Sequence, residues 1–173
     1  LFLGSLGFDS SVWAQPTGNN PRVTKGVADY RSKNFLIHTD MPPKEVEQLL
    51  KELEVMLSQV SKYWGKPNAQ IIEMYVFEDI SVWPKELLQQ LDASAVQQSV
   101  LGGGLTKGSS ITIGNQRIGG KSIAYASAKR GVPKHEAVHA YCQQAFGTSG
   151  PLWYSEGMAE MGQYWIEGDY SVN

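Results

Sequence analysis

Apolar positions change period along the chain, and the period marks the elements. After Pro42-Pro43, the residues Val46, Leu49, Leu50, Leu53, Met56, Leu57, Val60 and Trp64 recur at the spacing of one helical face. Gly65 and Pro67 close that run, so a long helix is predicted from Pro43 to just before Gly65. Two short apolar runs flank it, Asn34 to Thr39 and Ile71 to Phe77, and both read as strands. A short helix is expected near Pro84 to Leu91, and two further short strands at Ser110 to Gly114 and Ile123 to Ser127. Helical spacing returns at Val138, Tyr141, Ala145 and Phe146, on a helix opened by Pro133 and stopped by Gly147. A second helix follows the Thr148-Ser149-Gly150 turn and runs to about Trp165. This order suits an α+β domain with a small mixed sheet packed on the first of the closing helices.

Composition narrows the class. At 173 residues, 42% hydrophobic and 18% charged, the chain reads as one globular domain with a sizeable core. A net charge of −2 without a basic run argues against nucleic acid as a partner. Leu1 to Phe8 is apolar and is followed by Val12-Trp13-Ala14-Gln15, with small residues where a signal peptidase reads, so residues 1–15 read as the tail of a secretory signal. Export to the periplasm, the cell surface or the medium is therefore expected. Residues 16–29 read as a linker and 30–173 as the domain. No stretch after residue 15 is long enough to span a membrane. The single cysteine, Cys142, excludes an internal disulfide and reads as a buried small residue. His38, alone on its strand, reads as structural.

The other two of the three histidines fall in His135-Glu136-Ala137-Val138-His139, an H-E-x-x-H pattern on the predicted helix. Residues four apart share a helical face, so two imidazoles can hold one zinc ion. Glu136 is turned aside from that line, toward an open coordination position, as a general base must be. A catalytic zinc needs a third protein ligand. The next helix carries Glu156 and Glu160, also four apart, among Leu152, Trp153, Met158, Ala159, Met161, Tyr164 and Trp165. Carboxylates in an apolar setting call for a partner or a metal.

His135-Glu136-x-x-His139 followed by Trp153-Tyr154-Ser155-Glu156-Gly157-Met158-Ala159-Glu160 resembles the gluzincin group of zinc metallopeptidases. More narrowly, it is similar to bacterial peptidase-MA-like domains with a W-x-x-E-G-x-A-E helix. The resemblance implies a zincin-like fold and Zn2+ held by His135, His139 and Glu156. It also implies that Glu160 hydrogen-bonds a zinc-binding histidine, His135, and that substrate adds as a strand to a sheet edge. Ser110, Ile111, Thr112, Ile113 and Gly114 form the candidate edge. The Gly-rich segment before it, Leu101 to Thr106, carries no acid of the kind aminopeptidases use. A metzincin would need a third His where Ala145 stands. The family's oxyanion donor comes from a C-terminal subdomain expected to be missing here; Tyr154, Tyr164 and Tyr170 offer no basis for a choice. The expected function is a zinc-dependent hydrolase cleaving peptide bonds, with Glu136 as general base. The alternatives are a non-catalytic zinc-binding scaffold module and a zinc hydrolase acting on a non-peptide amide or ester.

Overall fold

The computed structural model describes residues 15–16, 26–113, 116–129, 131–147 and 150–164. Apart from Gln15–Pro16, the expected signal tail and the linker up to residue 25 lie outside the described residues, as do Gly114 and Trp165. The elements run β1 (Gln15–Pro16), β2 (Ala28–Arg31), β3 (Phe35–Thr39), α1 (Pro43–Tyr63), β4 (Ile72–Phe77), α2 (Lys85–Leu88), α3 (Ala93–Val100), β5 (Gly104–Ile113), β6 (Gln116–Ser127), α4 (Val132–Phe146) and α5 (Leu152–Tyr164). The strands make one mixed sheet in the order β1-β2-β3-β4-β6-β5, in which β1 is only a two-residue pairing on β2. Strands β3, β4 and β6 are parallel; β2 and β5 run antiparallel to their neighbours. The expected α+β class holds, with the sheet packed on α4, and α5 packed in turn on α4.

One sheet face carries the main core. Phe35, Ile37, Ile72, Met74 and Val76 pack against Val46, Leu50, Leu53, Met56 and Leu57 of α1 and against α4. Strand alternation turns His38, Glu73, Tyr75 and Tyr125 to the other face. There Phe77 and Tyr125 meet Trp83 and Ala95 in a smaller cluster beneath α3. Helix α1 is tied to the β2–β3 turn by the buried Glu54. That carboxylate accepts from Ser32 Oγ, Asn34 N and Asn34 Nδ2 at 2.6–2.7 Å.

Small side chains place α4. Ala124 and Ala126 of β6 and Ala137 and Ala140 of the helix are fully buried, and Ser122 Oγ donates to the Ala140 carbonyl at 3.0 Å. The helix therefore lies close on the sheet. Gly147 ends it in the left-handed conformation at φ 76°, as predicted, with its N–H on the Gln143 carbonyl. Helix α5 crosses α4 where Gly162 faces Val138. A Cβ at 162 would stand 2.6 Å from Val138 Cγ2. Trp64 Nε1 donates to Tyr154 Oη at 3.0 Å and fixes the first turn of α5 against the end of α1.

Candidate metal centre

The two closing helices bring three donor groups together. His135 Nε2 and His139 Nε2 are 3.1 Å apart. Glu156 straddles them, with Oε2 at 3.3 Å from His135 Nε2 and Oε1 at 3.5 Å from His139 Nε2. One ligand atom from each residue lies within 4.8 Å of the others. Bonds of 2.0–2.1 Å around a tetrahedral zinc set ligand atoms about 3.3 Å from one another. The His135–His139 spacing of 3.1 Å lies near that edge, and Glu156 reaches the two imidazoles through different oxygens, so the three residues form a group that could hold a metal ion. Burial lowers the pKa of His139, and the neighbouring His135 adds to this, while Glu156 acts the other way. A neutral imidazole is the form a metal takes.

Glu160 lies beside His135, the histidine it was expected to support. Its Oε1 is 3.4 Å from His135 Nδ1, which leaves Nε2 with the free lone pair. Its other oxygen accepts from Gln163 Nε2 at 3.2 Å. Gln163 in turn occupies the room left by Gly131, where a Cβ would meet Gln163 Cγ at 2.5 Å. The apolar setting inferred for these carboxylates is only half present. Met158 and Ala159 are buried, but Leu152, Trp153 and Met161 point to solvent, and the Glu156 side chain is 48% exposed.

Glu136 is not among the clustered donors. It is 5% exposed, and burial lifts its carboxyl to about 7. The Thr106 hydroxyl opposes that rise and the Glu156 charge adds to it. Thr106 Oγ1 donates to Glu136 Oε2 at 2.7 Å and also lies 3.0 Å from the Glu136 carbonyl oxygen. Gly104 makes the space. A Cβ there would stand 2.5 Å from Glu136 Cγ and 2.7 Å from Oε1. The glycine-rich segment that leads into β5 thus gives the Glu136 side chain room.

A cleft of about 580 Å³ opens over these residues. Its floor is His135, Glu136, His139 and Gln143 of α4. One wall is the start of β5, with Gly104, Leu105, Thr106 and Gly108; the other includes Leu152, Ser155 and Glu156 of α5. β5 is the sheet's edge strand on this side and contains the expected Ser110 to Ile113. Among the described lining residues, its contribution comes from earlier positions. Thr106, Gly104 and Gln143 were missed from sequence. Of these only Gln143 had a local signal, its place one turn beyond His139 on the same stripe. Tyr154 is engaged by Trp64, Cys142 is a buried free thiol, and His38 is paired with Asp29. Among the described residues no helix is long and apolar enough to cross a membrane. Compared with known proteins, the chain matches no family model, no curated protein and no solved structure.

Proposed function

We propose that this chain is a zinc-dependent hydrolase of the metallopeptidase type, acting on peptide bonds in the cleft between β5 and α5. The observation that carries the reading is the pairing of two arrangements on one helix. Two imidazoles and the Glu156 carboxylate converge closely enough to share one metal ion, and a buried carboxylate beside them is held back from that set. A purely structural site has no use for such a carboxylate. When bound, zinc supplies Lewis acidity, polarising a carbonyl and bringing the pKa of water to about 7.

The chain's own residues supply the rest. Glu160 keeps the proton on His135 Nδ1, so that Nε2 faces the centre. Thr106 occupies Glu136 Oε2, which leaves Oε1 to take the proton of the attacking water. As the C–N bond breaks, Glu136 delivers that proton to the departing amine, and the carboxylate is restored. The open edge of β5 suits an extended chain.

The test is Glu136→Gln. The variant is expected to keep its zinc and to lose turnover of a peptide mixture by 10²–10⁴-fold, roughly the worth of a general base. Zinc content is measured alongside hydrolysis. Parental rates in the variant would refute the mechanism. An inert, zinc-loaded parent would favour the scaffold reading instead.

A further inference from the structure

One polar group in the cleft has no part in holding a metal or a proton. Gln143 follows His139 by one helical turn, continues the stripe of His135 and His139, and lines the cleft floor. Its Oε1 is buried and has no hydrogen-bond partner. That oxygen rests on the backbone of Gly108 in β5, so closely that a Cβ at 108 would collide with it. An unpaired buried carbonyl is uncommon in a folded protein and calls for an explanation. A carboxamide has two ends, and the oxygen end is seated against β5. The amide NH2 is therefore the hydrogen-bonding group that Gln143 has left for the cleft, and the Gly108 contact fixes its orientation in advance.

The surroundings say what it meets. Gly104 and Gly108 on one wall, with Gly147 and Gly150 beyond, present backbone more than side chain. Four residues of helix advance about 6 Å, and an extended chain advances about 3.3 Å per residue. A chain lying along the cleft with one carbonyl at the metal centre thus brings a carbonyl roughly two residues away opposite Gln143. We propose that Gln143 Nε2 donates to this main-chain carbonyl of an extended peptide, making it a substrate-binding residue that reads backbone rather than side chain. The inference rests on the peptidase reading and assigns the site a substrate class of unstructured, extended segments.

The experiment uses zinc-loaded Glu136→Gln protein as a non-turning-over trap for a mixture of unmodified random-sequence decapeptides. Bound peptides are identified by mass spectrometry, their scissile bonds are mapped with the parent, and their affinities are measured. Adding Gln143→Leu, which keeps the bulk but not the amide, is expected to weaken binding about 5-fold or more, the scale of one lost hydrogen bond. Gln143→Met serves as a second variant, and Gly108→Ala, whose Cβ displaces the oxygen, should reproduce the loss. Zinc content and melting temperature are recorded for each. The decisive comparison is a captured peptide in which the carbonyl two residues from the scissile bond is reduced to CH2. That change should weaken binding to the trap and leave binding to the Gln143→Leu trap unaltered. If it weakens both equally, or if Gln143→Leu and Gln143→Met bind like the single variant, the assignment of Gln143 is wrong while the peptidase reading stands. If the Glu136→Gln trap captures no peptide at all, the peptidase reading falls and this inference with it.

Discussion

Glu136 shows how the state of a buried carboxyl depends on residues distant in sequence. Its carboxyl is lifted by burial and restrained by one hydroxyl, that of Thr106 on the edge strand. Removing that hydroxyl should let the pKa rise further, because the hydrogen bond favours the charged form. Thr106→Val is therefore expected to shift the acid limb of the pH–rate profile to higher pH and to lower turnover at neutrality roughly tenfold, with zinc content unchanged. A profile that superimposes on the parent's would remove Thr106 from the account. The difference between the residues read from sequence and those missed is physical. His135, Glu136 and His139 are related by helix geometry alone, so local spacing suffices. Glu156 and Glu160 followed from a second local spacing joined to a family resemblance. Thr106, Gly104 and Gly108 matter only because β5 lies against α4, a contact that no periodicity encodes.

At the scale of elements, the site is an angle between two helices. Gly162 lets α5 approach Val138 of α4, and the Trp64–Tyr154 hydrogen bond holds its first turn. Gly162→Val would drive a branched side chain into that contact at a cost of about 1–3 kcal/mol. Because the displaced helix carries Glu156, the melting temperature and zinc affinity should fall together, as calorimetry and chelator competition would report. A stability loss with parental zinc affinity would mean that the helix crossing does not set the ligand position. The elements that hydropathy marks best, α1, β3, β4 and α4, have sustained apolar periods, and each appears within a residue or two of its expected bounds. The strands β5 and β6 are longer than the expected Ser110 to Gly114 and Ile123 to Ser127. Their outer parts are rich in Gly and Ser, poor strand formers alone, and are carried by pairing with each other. Helix α3 and strand β2 are short and were not expected. The Asp92 cap, which accepts from Ala95 N, was the one local sign of α3.

The whole molecule is a sheet with two unlike faces, and each has its own chemistry. The face away from α4 carries His38 between two carboxylates, with Nδ1 2.7 Å from Asp29 Oδ1 and Nε2 3.6 Å from Glu73 Oε1. Burial alone would depress the imidazole, but Glu73 and Asp29 outweigh it and the net shift is upward. His38 first, and then Lys121, pull the Glu73 carboxyl down to about 2 against the effect of burial. A raised histidine contributes stability that is whole below its ordinary 6.5 and is lost as pH rises through the higher folded value. A depressed glutamate contributes stability that is whole above its ordinary 4.5 and is lost as pH falls toward about 2. This cluster therefore favours the fold most between those two ordinary values. His38→Gln should flatten the fall in melting temperature on the alkaline side of that window, and an unchanged alkaline limb would contradict the assignment. The other face carries the cleft and the donor set that define the account. The most direct test of its central claim is the zinc content of purified, dialysed protein beside His139→Ala and Glu156→Ala. The account predicts about one zinc per chain in the parent and no tightly held zinc in either variant. Equal metal in all three, or a parent that binds none when zinc is supplied, would contradict it.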